Sequence, residues 1–389
     1  MTQGAPAPGP ALWNLGFRPF YLLASAFGAA AIAVWAAQLA GWIPAGAYLA
    51  GHLWHAHEMI FGYTVAVVAG FLLTAVRNWT GLATPSGVPL ACLAGLWVAG
   101  RVLVLMPWPL AAAVVNAAFP ICVGAAIAVP MVRSANRHNY FFAALLVFLG
   151  MAVLAFHLSL QGRVALPARL GLLAGLDMVL FVMAVMGGRV IPMFTNNGVP
   201  GTNARRTLAT ERLSLGSVLA LLAADLAQAP AEVVGAVALV AALAHAARLW
   251  LWQPWRTVRT PLVWVLHAAY AWIVVHLALR SLAAFGLVGE SLALHALTVG
   301  AIGGLTLGMM TRTARGHTGR ILEADGWETA AYALVMAAAL VRVGGGIALP
   351  HALVPTATVS AALWSAAFAI YAVRYWPVLT RPRVDGKPG

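Results

Sequence analysis

Three histidines and a glutamate stand within seven positions in GHLWHAHEMIFG: His52, His55, His57 and Glu58. Neutral imidazole suits copper, zinc or iron, and a neighbouring carboxylate can orient a ligand or carry a proton. On a helix His52, His55 and Glu58, spaced i, i+3, i+6, share one broad face while His57 points elsewhere. A plainer role is open to all four, that of polar groups at a water boundary capping the helix. Further along, His157, Asp177, His267, His276, Glu290 and His295 are ionisable groups in or beside long apolar runs, where such groups are expensive and point to function. His157 gains weight from a depth shared with the first cluster. His295 precedes Gly300, Gly304 and Gly308, a stripe along one helix face that lets another helix or a flat macrocycle approach. One axial imidazole from such a helix, with a second from another span, can hold haem. Asp177, if buried, needs a partner or a proton, which suits a proton relay and an interhelical hydrogen bond equally.

A second polar set comprises His267 in WVLHAAYAW, Arg189 in GGRVIPMFTNN, and Thr311, Arg312, His317 and Arg320 in MMTRTARGHTGR. These arginines can hold haem propionates or lipid phosphate, or serve only as topology signals. Pro192 and the Thr and Asn after it are expected to break a helix end, and the longest connection is expected from about Thr195 to Thr210. The methionine pair Met309 and Met310 reads as packing.

The elements that must position these groups are membrane spans. Of 389 residues 62% are hydrophobic and only 8% charged, with mean hydropathy +0.88, whereas soluble domains are about a quarter charged. Spans of about 20 residues are expected to start near Pro19, Trp54, Val88, Pro109, Tyr140, Arg169, Glu211, Pro230, Pro261, Gly289, Gly326 and Leu353. The expectation is therefore an all-α, polytopic integral membrane protein of about twelve transmembrane helices in one bundle, a single domain over residues 1–389. The net charge of +13 is scattered through short connections, which excludes a nucleic-acid surface and suits topology and anionic lipid. With the N-terminus inside, 18 of the 23 basic residues fall on the cytoplasmic side, leaving Arg101, Arg163, Arg169, Arg280 and Arg342 opposite. Both termini are thus expected in the cytoplasm, with most of the span histidines in the outer half. Cys92 and Cys122 lie in apolar runs and are expected as small buried hydrophobes. The N-terminus has no signal-peptide pattern, so the first span is expected to be retained. A GxxxxGK[ST] phosphate loop and a dinucleotide GxGxxG are absent.

Four motifs in order, GHLWHAHEMIFGYTVAVVAGFLLTAVRNWTG, GGRVIPMFTNN, LHAAYAW and HALTVGAIGGLTLGMMTRTARGHTGR, closely resemble the NnrS family of bacterial membrane proteins, from Gly16 to about Arg320. The resemblance implies about twelve spans, bound haem and copper, and a role in the response to nitric oxide. Carried onto this sequence, the motifs mark His55, His57, Glu58, Arg189, His267, His295 and His317, with His157 in the fifth span. His52 and His276 lie outside them.

The expectation from sequence is a haem b and copper protein of the bacterial inner membrane that binds, senses or turns over NO. His295 and His157 are the candidate haem ligands, His55 and His57 the candidate copper ligands, and His267 a further candidate ligand. Arg189 and His317 are candidate cofactor-binding residues, and Glu58 and Asp177 candidate proton-handling residues. The lipid bilayer and NO are the expected partners, and the sequence names no electron donor. Two rival classes share these residues: an NO reductase or quinol-linked oxidoreductase, and a transporter of metal, haem or a small nitrogen compound whose polar groups line a pathway.

Overall fold

In lipid the backbone has no hydrogen-bond partner but itself, and runs as apolar as the 18-residue stretch within 137–160 whose mean hydropathy is 2.5 accordingly coil into helices. The computed structural model describes residues 11–387 apart from 45, 47 and 50. Its long helices are α1 (Phe17–Leu39), α2 (Gly51–Thr80), α3 (Val88–Leu103), α4 (Pro109–Arg133), α5 (Phe141–Leu160) and α6 (Ala168–Gly198). They continue as α7 (Leu208–Leu226), α8 (Ala231–Leu251), α9 (Pro261–Ala284), α10 (Glu290–His317), α11 (Gly326–Ala348) and α12 (Leu353–Thr380).

A helix begins near each start expected from sequence, but among the described residues ten helices are long and apolar enough to cross a membrane. The other two are α3 and α7. At 16 residues, α3 rises about 24 Å at 1.5 Å per residue, short of the roughly 30 Å hydrocarbon core. Glu211, Arg212 and Asp225 interrupt the apolar run of α7.

The central helix is α2, with 89% of its apolar window buried against 33% for α12. First and last helices close the bundle against each other. Trp364 Nε1 donates to the Gly28 carbonyl at 3.2 Å, Ser365 to Ala29 at 2.8 Å and Arg18 to Leu379 at 3.0 Å. Helices alternate in direction, so α2, α6 and α10 begin, and α5, α9 and α11 finish, at one end of the bundle. Cross-links between those helices at that end confirm the arrangement.

Two expectations are corrected. Pro192 does not end α6, which runs on to Gly198. Proline removes one N–H, but the Thr195 hydroxyl bonds the Ile191 carbonyl at 2.8 Å, and Asn196 pairs with both backbone groups of Ala204, which folds the following loop back. Cys92 and Cys122 are exposed on the perimeter of the bundle, because a membrane bundle turns apolar residues outward as well as inward.

The glycine stripe is filled by protein. Side chains built on Gly300, Gly304 and Gly308 would run into Trp272, Ala269 and the Val265–Leu266 pair of α9, and at Gly304 also into Met336 of α11. Close helix packing thus explains the stripe.

Three helices widen into π turns, at Glu58–Thr64 of α2, Ala296–Ile302 of α10 and Leu340–Gly344 of α11. Such turns are rare and gather at functional sites. Here two begin directly after a candidate ligand, His57 or His295, and the third contains Arg342.

Candidate functional site

At the end where α2 begins, a chain of buried polar groups passes through four helices. Glu58 Oε1 lies 2.8 Å from His57 Nδ1, His57 Nε2 lies 3.0 Å from His157 Nε2, and His157 Nδ1 lies 2.9 Å from the Tyr48 hydroxyl. The other Glu58 oxygen accepts from Arg101 at 2.8 Å, and Arg101 also contacts Asn116. An ionised carboxylate only accepts, so Glu58 fixes the proton of His57 on Nδ1 and leaves a lone pair on Nε2. With that tautomer, His157 donates from Nε2 and accepts the Tyr48 hydroxyl at Nδ1. Histidine, glutamate and arginine are each paired, which is the condition for burying them at all.

Two residues before His57, His55 faces the opposite way, into a cavity of about 190 Å³. Its ring lies nearly parallel to Trp35, with centroids 5.0 Å apart, and to His295, at 6.3 Å and 10°. His295 Nδ1 donates to the Ser291 carbonyl at 2.6 Å, which leaves Nε2 with its lone pair. His55 Nδ1 is buried and has no hydrogen-bond partner. Arg342, bonded to the Ser291 hydroxyl at 3.2 Å, supplies a cation to the same cavity. Its remaining walls are largely apolar and come from α1, α2, α6, α10 and α12, with Ile32, Leu176, Ile302 and Trp364 among them. A mostly apolar hollow with a few convergent polar groups is the usual form of a cofactor site.

The structure therefore pairs His57 with His157 and His55 with His295, a different grouping from the one expected. Among the described residues no three His, Cys, Asp or Glu side chains converge as a metal site. The donor sets still suit the expected groups. Two nitrogens bound to one tetrahedral ion at about 2.0 Å each stand about 3.3 Å apart, close to the His57–His157 separation. Both imidazoles have an outer partner on Nδ1; His57 already donates there, as metal-bound histidines ordinarily do, and His157 would do so to the Tyr48 oxygen once its Nε2 gave up its proton to bind a metal.

Other candidates lie apart from these two pairs. Asp177 is buried and accepts from Arg280 at 2.7 Å. His276 donates from Nδ1 to the Ala293 carbonyl at 2.7 Å. His267 meets the Thr195 hydroxyl at 2.8 Å through Nε2. Because that hydroxyl's own hydrogen goes to Ile191, His267 is the donor, and its buried Nδ1 is unpartnered. Arg189 bonds Asn139 at 2.8 Å and packs over Phe141 and Phe142, while His317 packs against Phe17 with ring centroids 5.6 Å apart and planes tilted by 38°. Both lie at the opposite end from the histidine pairs. His52 is exposed.

Sequence reasoning passed over Tyr48, Arg101, Asp225, Arg280 and Arg342. A signal for three of them was present. Arg101, Arg280 and Arg342 belong to the five basic residues on the sparsely charged side, and an arginine there that is not needed for topology is a candidate for internal pairing.

Comparison with known proteins adds two findings. No curated protein matches the sequence. A family model described as NnrS protein matches residues 11–383.

Proposed function

The chain belongs to the NnrS family, and on that premise we propose that it is a bacterial inner-membrane protein of the nitric oxide response that holds haem b and copper in two adjoining sites. The observation that carries the reading is the pair of histidine pairs at one end of the bundle, with one ring nitrogen of His57 and of His295 held by a partner and the other left with a lone pair. In this reading His295 would hold haem in the cavity, with His55 lining the space left for NO, and His57 and His157 would hold copper. When bound, haem iron supplies a binding position for NO and copper a one-electron centre.

The remaining work falls to the chain's own groups. Arg342 offers a guanidinium to a propionate. Glu58 fixes the His57 tautomer and, through Arg101, keeps its own charge balanced. Tyr48 orients His157. The apolar walls exclude water and admit an uncharged diatomic gas from the lipid. All twelve helices span the membrane in this reading, with both termini cytoplasmic. The support is the uneven spread of basic residues, with only five of 23 at the end that carries the histidines.

The first test is a reduced-minus-oxidised optical spectrum with iron and copper analysis of the purified protein, before and after NO. Haem bands that shift with NO, in a preparation containing copper, are expected. A preparation that remains colourless and metal-free after reconstitution with both would overturn the reading and favour transport.

A further inference from the structure

Arg280, on α9, reaches two acids on two other helices. Its Nη1 donates to Asp177 Oδ1 of α6 at 2.7 Å, and its Nη2 contacts Asp225 of α7. One guanidinium balances one carboxylate, so with both acids ionised the cluster carries an uncompensated negative charge inside the bundle. The surplus falls where it is least tolerable, since Asp177 is 0% exposed and its Oδ2 has no hydrogen-bond partner. An unpaired anionic oxygen in such surroundings costs far more than a neutral carboxylic acid.

No other group in the neighbourhood supplies the missing positive charge. On α9, His276 spends its only proton as Nδ1–H on the Ala293 carbonyl, and its Nε2 is unpartnered and buried. Arg169 of α6 and Glu290 of α10 pair with each other at the mouth. On α8, Arg248 belongs to Glu211 in the other half of the bundle and Glu232 is exposed. A second cavity, of about 280 Å³ and bounded by Asp225, Gln228, Pro167 and Arg169, reaches the cluster at Asp225. Leu173 and Arg169 border both this cavity and the one between His55 and His295.

We propose that Asp177, Asp225 and Arg280 form a proton-binding site that fills from water through the Asp225 cavity, beside the histidine-lined cavity. The step is a simple protonation: one carboxylate oxygen gains an O–H bond, the proton comes from water, and no electron moves. Asp225, on the cavity wall, is the entry, and Asp177, sealed behind it, is the store. Nothing in this rests on the haem and copper assignment, and its test reads neither metal.

Infrared spectroscopy of the purified full-length protein is expected to show one protonated carboxylic-acid C=O band per chain at neutral pH, shifting promptly on transfer to D2O. Asp177→Asn and Asp225→Asn should each abolish it, because removal of either acid leaves Arg280 with one carboxylate and no need of a proton. Arg280→Gln, which leaves two acids and no cation, should instead double the band, so a gain as well as a loss is read. Absence of the band in the unaltered protein, or its survival at full size in both asparagine variants, would overturn the proposal. A band that does not respond to D2O would overturn the access route.

Discussion

His57 and His157 stand 100 positions apart in the chain and bring their Nε2 atoms to 3.0 Å. The Nδ1 atom of each is taken by a different partner, Glu58 or Tyr48. His55, only two residues away from His57, turns into a separate cavity with His295. The two pairs are neighbours on α2 and yet share no group.

That separation predicts that metals are lost independently. His157→Ala and His57→Ala are expected to remove copper and retain the haem spectrum, and His295→Ala to remove the haem spectrum and retain copper. Metal analysis and optical spectra on the same preparations decide it; loss of both metals from every variant would mean a single site.

Arg101→Met leaves Glu58 buried without its cation, and breaking a buried pair costs about 3–5 kcal/mol. The double variant Glu58→Gln/Arg101→Met should recover much of that loss, since no lone charge is left. Thermal unfolding of the three variants in detergent forms the cycle. A double variant no more stable than Arg101→Met would show that the pair is not the source of the loss.

Two glycines are required by neighbouring guanidinium groups. A Cβ on Gly188 would overlap Arg248, which grips Glu211 through two bonds of 2.8 and 2.5 Å, and a Cβ on Gly62 would overlap Arg101. Alanine at either position is expected to cost about 1–3 kcal/mol through overpacking. At Gly95, where a Cβ meets nothing within 4 Å, alanine should stabilise the helix by about 0.5–1 kcal/mol. Melting temperatures that fail to separate these variants would remove the steric argument.

Asp325 caps α11 from just before the membrane-spanning segment begins. Partial burial opposes its ionisation, but the backbone N–H of Glu328, the Arg374 guanidinium and the N–H of Trp327 outweigh that and hold its carboxyl below the usual carboxylate range. A depressed folded-state value means that the cap's contribution is complete above the unfolded carboxyl value, about 4, and is lost as pH falls through the lower folded one. Asp325→Asn, which caps without titrating, should flatten the acid limb of the stability–pH curve. An unchanged limb would assign the acid sensitivity elsewhere.

Most of the architecture could be read from the sequence because lipid leaves the backbone few options. Apolar runs divided by Gly, Pro and Arg placed every long helix start within a few residues. The extension of α6 past Pro192 was hidden, since it depends on Thr195 and Asn196 finding partners that no local pattern names. The histidine pairs were half legible. At 3.6 residues per turn, positions two apart diverge, which already set His57 apart from His55, but what each meets depends on the packing of α5 and α10 around α2. The glycine stripe announced a close approach without saying that Trp272 and Ala269 make it. The Asp177–Arg280–Asp225 cluster was the least visible, because its three members come from three helices and no spacing connects them.

The order of synthesis gives the arginine pairs at the histidine end a further meaning. Glu58 precedes Arg101, and Asp177 and Asp225 precede Arg280, so these two buried guanidinium groups emerge from the ribosome after their counter-ions, whereas the exposed Arg169 precedes Glu290. An arginine that enters the bilayer beside a waiting carboxylate travels as a neutral pair, and its pull toward the cytoplasm is cancelled. At the opposite end Glu211 precedes Arg248 and Asp325 precedes Arg374, but Arg315 is made before its partner Glu328. That arginine can still act as an anchor during insertion and be neutralised afterwards.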